Sequence, residues 1–186
     1  MVITIIDKDD VVERELAPLR ACIGEDFDGY RNHVYRVLTY AMHFLDGEPR
    51  WREPIAFALA YHDVGLWTDR ALAYLEPSER HAEDARATSA FDLNPTLIRD
   101  LIHWHHKVTP FRGDNARVVN AVRKADWIDA SGGRLLKGLS RRQVVEVMTA
   151  IPPLGFYETL TRLPGELNHG RTLGGLAHML AHVFKA

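Results

Sequence analysis

Apolar and polar residues alternate with the 3.6-residue period of α-helices over most of the chain after residue 9. The first stretch, VITII at residues 2–6, predicts a short strand or an extended arm. Because no strand pattern recurs, we predict an all-α fold, a helical bundle with a short N-terminal extended arm. The predicted helices cover residues 10–22, 30–45, 53–63, 79–91, 94–106 and 116–130, and two or three more lie in the last third.

Turn and cap residues mark the ends of several of these helices. Ser78 is a suitable N-cap for the helix over 79–91, and Asn94-Pro95 opens the next one. Ser131-Gly132-Gly133 closes the last of the six helices. No repeat, low-complexity segment or long linker divides the sequence, so we predict that residues 1–186 form one domain.

Composition narrows the class of protein and the chemistry open to it. Of 186 residues, 46% are hydrophobic and 26% charged, and the formal charge of -2 gives no signal for nucleic acid or an anionic membrane. No apolar run approaches the roughly 20 residues of a membrane span, and the N-terminal stretch lacks the features of a signal peptide. We therefore expect a cytoplasmic protein. Cys22 is the single cysteine, so any metal must rely on histidine and carboxylate ligands.

Several histidines stand at positions that the helical pattern turns inward. His62 and Asp63 end the apolar run in ALAYHDVGLW, and His33 lies at the edge of the apolar face of its helix. His105 falls in the middle of the apolar stripe of the helix over 94–106. Each of these alone is either a hydrogen-bonded core residue or a metal ligand, since a buried imidazole needs partners for both ring nitrogens.

Two carboxylates continue the apolar stripe of the helix over 116–130. Asp126 lies one turn after Val122, and Asp129 follows three residues later. A carboxylate in a core position is either paired with a buried arginine or lysine, or bound to a cation. Four helices thus each deliver an imidazole or carboxylate inward, which one shared cation explains better than four separate pairs. Nitrogen and oxygen donors without sulfur suit Mn, Fe, Co, Ni or Zn, with Mg a weaker fit.

A competing histidine pair lies near the end of the chain. His178 and His182 have the i, i+4 spacing of a chelating pair, but no glutamate completes a His-Glu-x-x-His motif. We expect the pair on the polar outer face of its helix, opposite an apolar face formed by Leu173, Leu176, Leu180, Val183 and Phe184.

The order His33, His62-Asp63, Asp126 resembles that of the HD-domain metal-dependent phosphohydrolase superfamily. The matching segments are YRNHVYRV, AYHDVG and VRKADWIDA, and the resemblance covers about residues 28–130. It implies an all-α bundle of the HD-domain type, completed by helices in residues 131–186. It also implies that these four residues bind a metal ion between helices.

Some members of this superfamily hold two metal ions by means of extra histidines. His81 and His105 stand in the right order to bind a second ion, with His106 in reserve for His105. For His81 a surface position is equally consistent with the weak amphipathicity of its helix. Leu66 occupies a position where many members have lysine, so a phosphate-contacting lysine is absent there.

The resemblance implies a phosphohydrolase acting on a small phosphate ester or nucleotide-like substrate through metal-activated water. Asp63 would orient this water and accept its proton, and Arg36, Lys107 and Arg112 are candidates for binding phosphate. We expect the pocket walls to come from residues 65–77, residues 107–115 and the last third. The alternatives are a diiron oxygenase of the HD-domain type and a non-catalytic metal- or ligand-binding domain. The sequence leaves homo-oligomer formation open.

Overall fold

The computed structural model describes residues 2–89 and 91–184, and this part of the chain contains helices and no β-strand. The predicted all-α class is therefore confirmed. The helices are α1 (Asp10–Leu16), α2 (Arg20–Ile23), α3 (Phe27–Phe44), α4 (Arg52–Tyr61), α5 (Gly65–Thr68), α6 (Leu75–Thr88), α7 (Pro95–Trp104), α8 (Ala116–Ala130), α9 (Arg141–Ala150), α10 (Phe156–Glu166) and α11 (Thr172–His182), with 3₁₀ turns over Ala17–Leu19, Gly24–Asp26 and Pro49–Trp51.

Several helix boundaries agree with the sequence and one helix is broken. The bounds of α8 are those predicted. Asn94 caps α7 as predicted, and its side-chain oxygen accepts a hydrogen bond from the Leu97 N–H at 3.1 Å. The predicted helix over 10–22 is interrupted by the 3₁₀ turn that contains Pro18, because proline lacks the N–H that an uninterrupted helix needs.

Ser78 does not cap the helix predicted after it. It lies inside α6, which begins at Leu75 and ends at Thr88, and the predicted end of that helix includes residue 90, outside the described residues. The buried Ser78 hydroxyl instead accepts a hydrogen bond from the N–H of Gly65, the first residue of α5, at 3.0 Å. Ser78 thereby satisfies a backbone donor that α5 leaves free, and ties α5 to α6.

The long helix α3 runs through the centre of the fold and packs against α8 and α4, while α4 also packs against α1 and α7. Its polar side is buried as well as its apolar side, and Asn32 and Thr39 find hydrogen-bond partners there. The Asn32 amide donates to the Pro152 carbonyl at 2.8 Å, and the Thr39 hydroxyl accepts from the Ile6 N–H at 3.0 Å. Residues 2–9, which precede α1 without helix or strand, therefore cover one side of α3.

The carboxyl ends of α4 and α7 meet the middle of α3 and α8, and α10 and α11 pack together beside them. The chain thus brings the predicted ligands to one place from four helices. None of the helices in the described parts of the chain has the length and apolar character needed to cross a membrane.

Candidate metal centre

The four side chains that the sequence singled out first meet in the core. The Nε2 atoms of His33 and His62 lie 3.0 Å apart, and His33 Nε2 is 3.4 Å from an Asp126 oxygen. His62 Nε2 is 3.3 Å from an oxygen of Asp63. All four side chains are buried, so the contacts form a buried cluster of nitrogen and oxygen donors.

Two histidines that follow α7 extend this cluster. His105 Nε2 lies 3.2 Å from the second oxygen of Asp63, and His106 Nδ1 lies 2.6 Å from the second oxygen of Asp126. The structure therefore brings together His105, which the sequence nominated, and His106, which it held in reserve. Donor atoms of these six residues fall into overlapping groups of three within 4.8 Å of one another, a spacing that one shared ion can bridge.

Two of the imidazoles are held in the same way. His62 and His105 each stand directly after the last residue of a helix, α4 and α7. The Nδ1–H of His62 donates to the Leu59 carbonyl at 2.6 Å, and that of His105 donates to the Ile102 carbonyl at 2.5 Å. Because a carbonyl can only accept, Nδ1 carries the proton and Nε2 turns a lone pair toward the cluster.

His33 is fixed by a carboxylate instead of a carbonyl. Its Nδ1–H donates to Asp129 at 2.6 Å, so its Nε2 atom also points into the cluster. Arg36 donates to both oxygens of the same carboxylate, at 2.6 and 2.8 Å. The ring of Phe156 stacks on His33 with centroids 4.1 Å apart. Asp129 and Arg36 therefore set the orientation of a ligand without joining the cluster.

This geometry corrects the expectation for Arg36. The sequence nominated it as a phosphate-binding cation, but the side chain is fully buried and both arms of its guanidinium face Asp129 and the carbonyls of Ile151 and Pro152. The buried-pair interpretation that the sequence left open for an aspartate of α8 applies to Asp129, and not to Asp126.

His81 is not brought to the cluster. Its Nε2 lies 2.8 Å from an oxygen of Asp69, and its side chain is one-third exposed. The reason is the way α6 packs, since Ser78 and Ala82 take the buried positions of that helix and leave His81 on its flank. Among the described residues, the converging donors do not include His81, and His106 stands where a second histidine ligand was expected.

The two other nominated cations, Lys107 and Arg112, are not among the described residues whose donor atoms converge. Burial lowers the pKa of Lys107, and Glu79 is the charged residue that opposes this shift. Arg112 is exposed in the loop between α7 and α8. Neither is among the described residues that line the cavity next to the cluster.

The buried donors fit a cation because they lack other partners. In the part of the chain that the structure describes, Asp63 Oδ1, His105 Nε2, His106 Nδ1 and both carboxylate oxygens of Asp126 are buried and make no well-formed hydrogen bond, and their close neighbours are other donors of the cluster. Leaving one buried polar group unsatisfied costs about 1–3 kcal/mol, and more for a charged group. A divalent cation accepts lone pairs from all of these atoms at once, and the set contains only nitrogen and oxygen donors.

The charge states of the cluster follow from its contacts. Burial alone would raise the pKa of Asp63 and Asp126, but the surrounding histidines lower both, so the carboxylates are ionised. Burial also lowers the pKa of His62, to about 4. For His33, the nearby Asp126 and Asp129 carboxylates outweigh burial and raise the pKa to about 9, so this imidazole is protonated at neutral pH when no cation is bound. A cation held by the cluster would take the place of the Nε2 proton of His33 and balance the charges of Asp63 and Asp126.

A cavity of about 310 Å³ opens beside the donors, and Asp63 and His106 line it. Leu66 and Tyr74 contribute from residues 65–77, as the sequence suggested, and α10 and α11 contribute from the last third. None of the described residues in 107–115 lines it, contrary to expectation. The buried Tyr74 has a pKa raised well above its ordinary value by burial and by the nearby Asp63 and Asp126 charges, so it stays protonated.

Comparison with family models, curated proteins and solved structures gives no match to this chain. Membership of the HD-domain superfamily therefore stays a prediction that depends on the residues quoted above.

Asp129 and Tyr30 hold histidines of the cluster in place, and sequence reasoning did not assign this role to either residue. It named Asp129 but not Tyr30. Asp129 shares the inward stripe of α8 with Asp126, and that position was noted. Tyr30, one turn before His33, places its hydroxyl 3.3 Å from His62 Nδ1 and accepts from the Asp63 N–H at 3.4 Å. Its position on the same side of α3 as His33 was available from helical spacing.

Proposed function

We propose that this chain is a metal-dependent hydrolase that uses metal-activated water, with phosphate esters as the substrate class that the resemblance favours. One observation carries the proposal. Three imidazoles have their Nδ1–H groups committed to acceptors outside the cluster, and their Nε2 atoms meet two carboxylates in overlapping groups of three within one buried cluster. Such outer hydrogen bonds are the usual device for orienting metal-ligating histidines.

The arrangement of the two carboxylates supports a centre for two ions. One oxygen of Asp63 faces His62 at 3.3 Å and the other faces His105 at 3.2 Å. Asp126 likewise turns one oxygen to His33 at 3.4 Å and the other to His106 at 2.6 Å. Each carboxylate can therefore serve both halves of the cluster, as bridging carboxylates do in two-metal hydrolases.

A bound divalent metal would lower the pKa of a coordinated water toward neutrality and polarise a phosphoryl oxygen. Asp63, which lines the cavity, can orient the attacking water and accept its proton. In the overall reaction the water oxygen bonds to phosphorus, the ester P–O bond breaks, and the proton goes to the departing alkoxide. Tyr74 remains a neutral phenol beside Asp63 and can donate a hydrogen bond there.

The proposal is tested by metal analysis together with hydrolysis. Protein loaded with Mn, Co or Zn should contain at least one metal ion per chain and hydrolyse bis(4-nitrophenyl) phosphate. His62→Ala should lose both the metal and the activity. His103→Ala is the matched control, because His103 is a half-buried histidine near the end of α7 that lies outside the cluster and pairs with Glu79 at 2.7 Å. Full metal content in His62→Ala would contradict the proposed centre.

The same six donors also suit two irons, which keeps an HD-type oxygenase as the second candidate. Purified protein containing two irons per chain, with oxygen uptake and no phosphodiester hydrolysis under any metal, would replace the hydrolase proposal by this one. Stoichiometric metal with neither activity would assign the centre a structural or ligand-binding role.

A further inference from the structure

We infer that the substrate of this centre has an uncharged, apolar body that sits in the cavity between α8, α10 and α11, with its one hydrolysable group at the donor cluster. This inference rests on the proposed function for the reaction, but the binding part of it stands on the cavity alone. The cavity is continuous with the donors, since Asp63 and His106 belong to both.

The walls of the cavity are made of large apolar side chains. Trp127 and Phe184 meet edge to face, with ring centroids 5.6 Å apart, and Phe184 stacks on His106 at 5.2 Å. Leu160, Met179 and Leu180 complete the wall from α10 and α11. A ligand lying against these residues would bring its end to His106, and from there to the cluster.

The cavity offers little to bind a second charged group. None of the described residues that line it is lysine or arginine, and its polar groups are the side chains of Asp63, Tyr74, His106 and Ser131 and the indole N–H of Trp127. A di- or triphosphate held there would bury anionic charge without a cationic partner beyond the metal centre, which is strongly unfavourable. At about 310 Å³ the cavity is also at the lower end of the range of small-molecule sites. These features favour a monoester of an apolar alcohol or phenol over a nucleoside polyphosphate.

Helix α11 forms the solvent-facing wall of the cavity. Leu176 and Leu180 line the cavity and are also 36% and 57% exposed, so their outer sides face solvent. Leu173 on the same helix is 83% exposed and does not line the cavity. This difference supplies a matched pair of leucines for a test.

The binding part is tested with straight-chain alkanols from butanol to octanol, which need no metal. Their affinity is measured by the tryptophan fluorescence of the full chain, both as purified and after treatment with a chelator. Each added methylene should tighten binding by roughly four-fold until the cavity is full. Leu180→Gln should weaken hexanol binding by roughly three- to ten-fold, and Leu173→Gln should leave it unchanged.

The outcomes separate the inference from the proposed function. Affinity that does not rise with chain length, or that falls equally in both leucine variants, would overturn the inference. So would affinity that drops as protein concentration rises, which would assign the cavity to contact between two copies of the chain. Hydrolysis is compared on 1-naphthyl phosphate and glycerol phosphate, and a preference for the naphthyl ester is expected. If alkanol affinity rises with chain length but the protein neither binds metal nor hydrolyses either ester, the proposed function is wrong and the apolar binding site is still supported.

Discussion

Asp129 joins the metal centre to the buried Arg36, and replacing it with asparagine tests both roles. The carboxylate accepts three charge-assisted hydrogen bonds, two from Arg36 at 2.6 and 2.8 Å and one from His33 at 2.6 Å. Asparagine has nearly the same shape but has one acceptor oxygen and no charge. In Asp129→Asn, Arg36 therefore keeps a positive charge at 0% exposure without a counter-charge.

The expected loss has two separate parts. Removing one partner of a buried ion pair destabilises a protein by about 3–5 kcal/mol, a large part of the roughly 5–15 kcal/mol that keeps a domain folded. Loss of the acceptor that fixes a metal-ligating histidine lowers metal affinity by about 10- to 100-fold. Urea unfolding measures the first part, and competition with a chromophoric chelator for Zn or Co measures the second.

A double variant tells these parts apart. Adding Arg36→Leu to Asp129→Asn removes the uncompensated charge, so stability should recover in large part while metal affinity stays low. Arg36→Leu alone should be destabilised, because it leaves Asp129 charged and buried, yet it keeps the acceptor for His33. Unchanged metal affinity in Asp129→Asn would refute the idea that this carboxylate orients His33.

Two further predictions concern the packing around Asp63 and the effect of metal on stability. Gly65→Ala should destabilise the fold by about 1–3 kcal/mol in urea unfolding. The reason is that a Cβ at this position would lie 2.6 Å from the Tyr74 carbonyl oxygen and force α5 away from α6. Wild-type stability in this variant would show that the close approach is not required. Excess chelator should lower the melting temperature of the metal-loaded protein by several degrees, since an ion at about 100 times its dissociation constant adds about 2.7 kcal/mol. His62→Ala should show no such shift.

Helical periodicity predicted which side chains meet in the core because the inward position of a side chain is a local property of its helix. His33, His62, Asp126 and His105 were each identified as polar residues in or beside an apolar stripe. Knowing that four helices turn such groups inward was enough to expect one shared centre. Whether His81 reaches the cluster or stays on the surface was not local, since it depends on how α6 is rotated against its neighbours. Ser78 and Ala82 decide that rotation by filling the buried side.

Helical periodicity could not predict that Arg36 is buried, for a similar reason. The polar side of α3 resembles a solvent-exposed surface in sequence, but residues 2–9 and the segment at Ile151–Pro152 cover it. The opposite error occurs in α11, where the pattern predicts a buried leucine face and the structure leaves Leu173 and Leu180 exposed. Both errors arise from contacts between segments far apart in the chain.

The charges of the centre also bear on how many ions it holds and what it binds. Asp63, Asp126 and Asp129 together with Arg36 leave two negative charges when the histidines are neutral, which one divalent ion balances. The carboxyl ends of α4 and α7 add partial negative charge, because both helices end at a ligand, His62 and His105. A second divalent ion would leave the centre positive, and only water-derived hydroxide or an anionic group of the substrate could offset that charge. One substrate can therefore place a phosphoryl group at the donors and an apolar body in the cavity, since the metal centre would supply the positive charge that the cavity walls lack.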